Sequence, residues 1–359
     1  MPRLGIIFGG RSGEHEISIL SAASVIEAVE KLEYEPVPIG INKSGEWFAI
    51  HKAMAGIASL DDGRLGALIP KSAREADPGA EWILPGELHR RIDFAFPVLH
   101  GPYGEDGKIQ GLFEMLGIPY SGCGVAASAI CMDKLFTRDI WIRAGLPVCR
   151  HMAMPARSFL ADPAAAISAI SAGIGYPLFV KPANMGSSVG ISRVKSADAL
   201  KGALEEAFRH DRRAIIEEAL DCRELEIGAT GNGQAEVSAI GEIVPDAEFY
   251  DYDSKYRSAG TKLYIPADIP DATAHQLGIL AAGAYQALNC EGFSRIDFFL
   301  ERGTGKLYLN EINTIPGFTR FSMFPSLWRE KGVTYPELIE RIIRLGNERY
   351  NAENSGQTD

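Results

Sequence analysis

Two short segments near the carboxyl end of the chain place carboxylates, an amide and a guanidinium at alternating positions. The first segment carries Arg295 and Asp297, and the second carries Glu311 and Asn313. Side chains alternate between the two faces of a strand, so each pair lies on one face if both segments are strands. Two carboxylates and an amide oxygen suit Mg²⁺, which prefers oxygen ligands. A cross-strand salt bridge explains the same residues equally well from geometry alone.

Two lysines and a Gly/Ser-rich loop indicate a phosphate site. Lys181 follows a short apolar run, and a cation on a mostly buried strand needs a partner. The loop at residues 186–190 contains Ser187 and Ser188, and its backbone N–H groups can fold over phosphate oxygens. Considered by itself, a second lysine, Lys134, is better explained as an exposed helix lysine. The two lysines and the loop together favour phosphate binding.

The glycine-rich segments argue against a serine hydrolase and against a Walker A nucleotide-binding loop. Residues 186–190 match G-x-S-x-G, but a nucleophile elbow needs a helix after the serine, and the following residues have a strand pattern. The sequence therefore disfavours a serine hydrolase. Gly107 and Lys108 lack the remaining features of a Walker A loop, because Pro102 and Ile109 occupy two of its required positions.

An acidic link follows an apolar strand at residues 215–216. Its four residues, 217–220, can offer backbone groups to an adenine edge, and Glu224 can accept hydrogen bonds from ribose hydroxyls. A solvated acidic turn explains the same residues without any ligand. This segment therefore indicates a nucleotide only in combination with the lysines and the loop.

Apolar runs and helical patterns alternate in the first part of the chain. Residues 4–8, 34–41 and 92–99 have strand patterns, and a helical pattern begins at His15. This alternation predicts a parallel α/β unit. Residues 60–91 are rich in glycine, proline and charge, which predicts an irregular insertion.

The later patterns predict two further units that each combine strands and helices. We therefore expect an α/β and α+β protein, with a first unit at residues 1–121, a central unit at 122–216 and a third unit at 217–346. The polar tail, residues 347–359, is expected to fray.

Composition and charge narrow the functional classes. The 359 residues carry a net charge of -11, which argues against nucleic acid or a membrane surface as a partner. The five cysteines form no C-x-x-C pair, and the apolar run at residues 4–8 is too short for a signal peptide or a membrane span. These observations predict a chain of the reducing cytoplasm.

The order of these motifs resembles the ATP-grasp superfamily and, within it, the D-alanine:D-alanine ligases. The resemblance extends from the glycines at residues 9–10, through Lys134, Lys181 and the Gly/Ser loop, to the segment 311–317. It implies an ATP-grasp fold with an N-terminal parallel α/β domain, known as the pre-ATP-grasp domain. It also implies a homodimer that uses ATP.

The resemblance implies a nucleotide site with separate groups for phosphates, adenine, ribose and metal. Two Mg²⁺ ions, which Mn²⁺ can replace, would bind Asp297, Glu311 and Asn313. The residues assigned to the nucleotide are Lys134, Lys181, Ser187 and Ser188 for the phosphates, Glu217, Glu218, Ala219 and Leu220 for adenine, Glu224 for ribose, and Asn310 beside them.

The resemblance also implies two substrate subsites under a lid at residues 249–263. The residues assigned to the substrates are Glu14 for the ammonium of the first D-alanine, Arg295 and the N–H of Gly317 for its developing oxyanion, Ser322 and Lys255 for the carboxylate of the second, and His100 and Met323 beside them. Ser187 and Tyr256 would join Glu14 in a hydrogen-bonded set. Met323 departs from many relatives, in which leucine is expected, and this leaves the fit of the second subsite open.

The implied reaction is the ATP-dependent ligation of two D-alanine molecules through D-alanyl phosphate, for peptidoglycan precursor synthesis. A ligase that makes D-alanyl-D-lactate is the first alternative, and Tyr256 in the lid argues against it. A non-catalytic ATP-binding regulator is the second. Such a regulator would be expected to lack some of five residues, all of which are present, namely Glu14, Arg295, Asp297, Glu311 and Asn313.

Overall fold

The structure is a computed structural model that describes residues 1–50, 71, 80–186, 189–244 and 262–355. Several positions assigned from the sequence lie outside the described residues. They are Ser187, Ser188, Lys255, Tyr256 and all but the last two residues of the predicted lid.

The first sheet has five strands in the order β4-β3-β2-β1-β5. Strand β1 is parallel to both of its neighbours, β2 and β5, so the parallel α/β prediction for this unit is confirmed. The helices near the sheet are His15–Val29 (α1), Leu88–Arg91 (α2) and Lys108–Leu116 (α3). The strands are Arg3–Gly9 (β1), Glu35–Ile41 (β2), Trp47–Ile50 (β3), Ala80–Ile83 (β4) and Phe94–Pro97 (β5).

The irregular insertion predicted at residues 60–91 contains regular structure, and that part of the prediction is wrong. Strand β4 pairs antiparallel with β3, and helix α2 follows it. Only the two ends of β4, Ala80 and Ile83, are buried, so its four residues show no alternation. The partner strand supplies the hydrogen bonds that define β4, and a local pattern does not reveal that partner.

The second sheet has four antiparallel strands in the order β6-β9-β7-β8. They are His151–Pro155 (β6), Leu178–Pro182 (β7), Ser192–Val194 (β8) and Arg213–Glu218 (β9). Two helices precede the sheet, Val125–Met132 (α4) and Lys134–Arg143 (α5). Three more cover its strands, Ala156–Ala161 (α6), Pro163–Gly173 (α7) and Ala197–Ala207 (α8).

The third sheet has five antiparallel strands in the order β12-β11-β10-β13-β14. They are Cys222–Asn232 (β10), Glu236–Val244 (β11), Lys262–Tyr264 (β12), Glu291–Glu301 (β13) and Leu307–Asn313 (β14). The helices of this part of the chain are Asp271–Ala287 (α9), Met323–Glu330 (α10) and Tyr335–Asn354 (α11).

Helices α4 and α5 precede the second sheet in sequence but pack on the third. Cys131 and Trp141 share one apolar core with Ile296 and Leu309 of β13 and β14. The indole Nε1 of Trp141 donates a hydrogen bond to the carbonyl oxygen of Ala284 at 3.2 Å. The start of α5 therefore lies between the second and third sheets.

Helix α11 corrects the prediction of a fraying tail at residues 347–359. The helix continues past Gly346, and its apolar residues pack into the core of the first sheet with β1 and α1. Arg349 is buried and donates hydrogen bonds to the carbonyl oxygens of Gly122 and Tyr120. The polar residues after Gly346 therefore remain helical, because the buried carbonyl groups of Gly122 and Tyr120 accept hydrogen bonds from Arg349. The last four residues lie outside the described part.

No helix in the described ranges is both long enough and apolar enough to cross a lipid bilayer.

We expect Arg349→Met to lower the free energy of unfolding by about 2 kcal/mol, since it removes charged hydrogen bonds from buried carbonyls. Arg344→Met is the matched control on the same helix, because Arg344 is exposed and pairs with Glu348 at the surface. Its effect should stay within about 0.5 kcal/mol. Urea titration followed by circular dichroism measures both, and equal effects would show that α11 ends in a frayed segment.

Candidate active site

A cleft of ≈ 510 Å³ lies between the second and third sheets. Strands β7 and β9 form one wall, β10, β13 and β14 form the other, and the first residue of α5 closes one end. The described residues that the sequence assigned to nucleotide or metal and that line this cleft are Lys134, Lys181, Glu217, Glu218, Ala219, Leu220, Glu224, Asp297, Asn310 and Glu311.

A buried carboxylate with two cations lies at one wall of this cleft. Oε2 of Glu217 is 2.7 Å from Nζ of Lys181, and Oε1 is 2.5 Å from Nη2 of Arg138. Only 1% of Glu217 and 1% of Arg138 is exposed. Burial alone would raise the pKa of Glu217, but the two cations outweigh it and lower that pKa to about 2.

The same ion pairs keep Lys181 charged. Burial lowers the pKa of this lysine, but the Glu217 carboxylate more than compensates, so the pKa stays above its usual value. The predicted adenine residue Glu217 therefore turns its carboxylate toward cations. The backbone of this segment is also engaged, because the N–H of Ala219 donates to the carbonyl oxygen of Pro177 at 3.1 Å.

Lys134 begins α5 and lies at the end of the cleft. The carboxylate of Asp133 caps the helix by accepting hydrogen bonds from the N–H groups of Leu135 and Phe136. Nζ of Lys134 donates to the carbonyl oxygen of Met185 at 2.6 Å and lies 3.5 Å from the Glu311 carboxylate. The lysine is 9% exposed, so it is not a surface helix lysine.

Strands β13 and β14 bring the four polar residues of the first motif together. Arg295 lies opposite Asn313 and Asp297 lies opposite Glu311 in the register of the two strands. The guanidinium of Arg295 donates two hydrogen bonds to Asp297, each 2.7 Å long. The alternation read from the sequence therefore places these side chains correctly.

The guanidinium of Arg295 also contacts a third strand. Its Nε lies 2.9 Å from Oε2 of Glu226 on β10. Burial opposes the charge on Arg295, but the Asp297 and Glu226 carboxylates raise its pKa well above the usual value. Arg295 is therefore a fixed cation, and its position is set by two strands.

The donor set of β13 and β14 fits a divalent cation. Carboxylates from opposite positions of two paired strands, Asp297 and Glu311, face one cleft, and Asn313 reaches Asp297 with its side-chain amide at 3.0 Å. Within the described ranges, no three His, Cys, Asp or Glu side chains gather as a metal cluster. The amide oxygen of Asn313 would supply a third oxygen donor beside the two carboxylates.

A second group of predicted residues surrounds Glu14 at the start of α1. Glu14 is 8% exposed, and a Cβ on Gly101 would lie only 2.7 Å from its Oε2. A Cβ on Gly186, at the start of the Gly/Ser loop, would lie 3.9 Å from the same oxygen. The carboxylate therefore lies between two glycine segments, and Gly101 leaves room for it only because it lacks a side chain.

His100 and Glu105 hold Ile315 from opposite sides. Nδ1 of His100 donates to the carbonyl oxygen of Ile315 at 2.9 Å, and the N–H of Ile315 donates to Oε1 of Glu105 at 3.2 Å. Because the Ile315 carbonyl can only accept, Nδ1 carries the proton, and Nε2 of the neutral ring accepts from the hydroxyl of Ser21 at 2.9 Å. These contacts connect the first sheet to the loop that leads from β14 to Gly317.

Burial and nearby charges keep His100 neutral and favour the protonated form of Glu105. Burial lowers the pKa of His100, although the Glu14 carboxylate partly opposes this effect. Burial and the Glu14 carboxylate raise the pKa of Glu105 well above its usual range. The Arg295 guanidinium also acts on both groups, so this pocket adjoins the Arg295 end of the cleft.

The described residues that were predicted for the second subsite, Ser322 and Met323, lie at the start of α10. The hydroxyl of Ser322 is 2.8 Å from the hydroxyl of Thr319 and accepts from the N–H of Thr319 at 3.1 Å. A Cβ on Gly317 would lie 3.2 Å from the same hydroxyl oxygen. Met323 is buried in an apolar cluster with Ile243, so its side chain contributes to packing.

Sequence reasoning missed three residues that hold this site, namely Arg138, Glu105 and Glu226. Each is polar and mostly enclosed, and each contacts a predicted site residue or the backbone of a site loop. Glu226 follows Glu224 at the strand spacing of two, which was a usable signal. The other two depend on partners far away in the chain, and no local pattern marks them.

Comparison with known proteins finds similar proteins that match nearly the full length of this chain. Family models described as D-ala D-ala ligase N-terminus and C-terminus match residues 3–123 and 140–344. A D-alanine--D-alanine ligase of Acetivibrio thermocellus is 44% identical, covering 97% of this chain and 96% of the relative. One from Geobacillus kaustophilus is also 44% identical, covering 97% and 95%.

Two solved structures share the fold. The VanG D-Ala:D-Ser ligase of Enterococcus faecalis is 33% identical with a TM-score of 0.84, covering 96% of this chain and 99% of that one. The D-alanine-D-alanine ligase of Coxiella burnetii is 29% identical with a TM-score of 0.82, covering 99% and 96%. The ATP-grasp fold expected from the sequence is confirmed, and the chain belongs to the D-alanine–D-alanine ligase family.

Proposed function

We propose that the chain carries out its ligation of two D-alanine molecules in two steps, with ATP as the phosphoryl donor and D-alanyl phosphate as the intermediate. One observation carries the proposal. A single cleft brings the lysines 134 and 181 together with the carboxylates of Asp297 and Glu311, and a fixed guanidinium, Arg295, adjoins them. Such a site can neutralise a triphosphate and stabilise charge that develops beside it.

The nucleotide would lie along the cleft with its phosphates toward Lys134 and Lys181. Segment 217–220 would contact adenine and Glu224 the ribose, with Asn310 beside them and the serines 187 and 188 over the phosphates. Asp297, Glu311 and Asn313 would hold two Mg²⁺ ions, or Mn²⁺ in their place. When bound, the metal neutralises charge on the transferred phosphoryl group.

The first D-alanine would bind between Glu14 and Arg295. Glu14 accepts from its ammonium group, which leaves the substrate carboxylate free to attack the γ-phosphorus of ATP. His100 is neutral and, together with Glu105, fixes the loop that presents the N–H of Gly317. Arg295 and this N–H would donate to the oxyanion that develops when the acyl phosphate is attacked.

The second D-alanine would bind with its carboxylate toward Ser322 and Lys255, with Met323 packed behind them. Its amine attacks the carbonyl carbon of D-alanyl phosphate, and inorganic phosphate leaves. Acyl phosphates hydrolyse in water, so the reaction needs a closed site. We assign that closure to the lid at residues 249–263, in which Tyr256 would join Ser187 and Glu14.

We also propose that the protein is a cytoplasmic homodimer that supplies D-alanyl-D-alanine for peptidoglycan precursors. All five cysteines are free thiols, which fits a reducing compartment. The dimer rests on the family resemblance. Light scattering of the purified protein measures the mass directly.

The direct test is incubation of the purified protein with ATP, Mg²⁺ and D-alanine. ADP, phosphate and dipeptide should form in equal amounts. Asp297→Asn and Glu311→Gln should abolish ligation, because each change removes charge at the proposed metal site. Circular dichroism should show that both variants stay folded, although Asp297→Asn also removes a counter-charge of buried Arg295 and should lower the unfolding midpoint. Either variant with near-normal activity would contradict the metal assignment.

The choice of second substrate needs its own measurement, because one of the similar structures is described as a D-Ala:D-Ser ligase. An equal mixture of D-alanine, D-serine and D-lactate should give mainly D-alanyl-D-alanine at neutral pH. Mass spectrometry of the products decides the question. A predominant D-serine or D-lactate product would replace the proposed second substrate but leave the first step intact.

Gly101→Ala should lower kcat/KM for D-alanine about a hundredfold, because the added Cβ displaces the Glu14 carboxylate. Gly145→Ala is the matched control. Gly145 has nearly the same backbone angle (φ +74 against +75), and a Cβ there meets nothing within 4 Å. It reproduces the backbone strain and should leave the kinetics unchanged. Equal losses in both variants would remove Glu14 from the explanation.

A further inference from the structure

Arg138 is a buried cation one layer behind the cleft. Its guanidinium contacts three separate elements, namely Glu217 at the end of β9, the carbonyl oxygen of Asn310 on β14 at 3.2 Å, and Sγ of Cys149 at 3.0 Å. Among the described residues, those that line the cleft do not include Arg138. Arg138 therefore acts on any ligand through its neighbours.

The charges around Glu217 create a conflict when a nucleotide binds. Lys181 lines the cleft, yet its Nζ is paired with the Glu217 carboxylate at 2.7 Å. To neutralise a phosphate, Lys181 must give up part of this pairing. A buried carboxylate that loses its only counter-charge is strongly destabilised, and Lys181 would then be retained by Glu217.

Arg138 removes this conflict, because it is a second cation on the same carboxylate. Its contact is with Oε1 of Glu217, whereas Lys181 contacts Oε2. Glu217 therefore keeps a counter-charge whether Lys181 points at the carboxylate or at a phosphate. Arg138 also lies one helical turn after Lys134 on α5. The same helix therefore carries Lys134 and, through the Arg138 contact with Glu217, acts on Lys181.

We propose that Arg138 is a positioning residue that neutralises Glu217 and thereby releases Lys181 to bind a nucleotide phosphate. This inference rests on the proposed function, in that it takes ATP as the ligand of the cleft. This role explains why two cations, Lys181 and Arg138, contact the buried carboxylate of Glu217 although only Lys181 lines the cleft.

A double-mutant cycle with Arg138→Met and Glu217→Gln tests the proposal. We expect Arg138→Met to raise the Kd for ATP at least about tenfold with a much smaller change in kcat, because Lys181 is then held by Glu217. In the Glu217→Gln background the same change should have little effect, since a neutral glutamine does not retain the lysine. Isothermal titration calorimetry gives the Kd for ATP, and initial rates give kcat.

The Arg138→Lys variant separates the effect of the positive charge at this position from the effect of the contacts with Asn310 and Cys149. It keeps a cation beside Glu217 but loses the planar group that reaches Asn310 and Cys149, so it should bind ATP like the parent even if its melting temperature falls. This variant decides the question alone if Arg138→Met does not fold. Arg143→Met is the matched control, an exposed arginine at the end of the same helix, and should change neither quantity.

Two results would overturn the role of Arg138. The first is additive effects of Arg138→Met and Glu217→Gln on the Kd for ATP, and the second is a loss of affinity in Arg138→Lys as large as in Arg138→Met. Failure of the parent protein to bind ATP would instead contradict the proposed function. The two failures are therefore distinguishable in one set of measurements.

Discussion

A buried carboxylate is stable only beside cations, and this constraint organises the junction of the second and third sheets. Glu217 lies near the end of β9 with almost no exposure, so Lys181 from β7 and Arg138 from α5 must both approach it. Because Arg138 also holds the backbone of β14, the same ion pairs fix the distance between the lysine wall of the cleft and the carboxylate wall. The remaining site groups occupy positions that this junction defines.

The first sheet contributes to the site in a different way, through the backbone of a loop. His100 and Glu105 hold the C=O and N–H of Ile315, and both side chains come from the loop that follows β5. Burial lowers the pKa of His100 and raises that of Glu105, and both titratable residues serve here as hydrogen-bonding groups for the backbone. The role of His100 and Glu105 here is to hold the backbone of Ile315 rather than to exchange protons.

Sequence reasoning works best where chemistry and local periodicity coincide. Arg295, Asp297, Glu311 and Asn313 could be placed on facing strands because a period of two is a property of the strand itself. Arg138 could not be identified, because the carboxylate that it neutralises is 79 residues away in the chain. The strand Ala80–Ile83 and the end of α11 were missed for the same reason, since each is stabilised by a partner that only the folded chain brings near.

The last helix has a consequence for the order of events during synthesis. The core beneath the first sheet includes Leu4 and Phe8 from the start of the chain and Leu338 and Ile342 from α11, so it joins the two ends of the sequence. Until α11 has been synthesised, the part of this apolar surface that α11 covers stays exposed. The first unit therefore completes its packing only when α11 is available, and the nascent chain must remain free of aggregation until then.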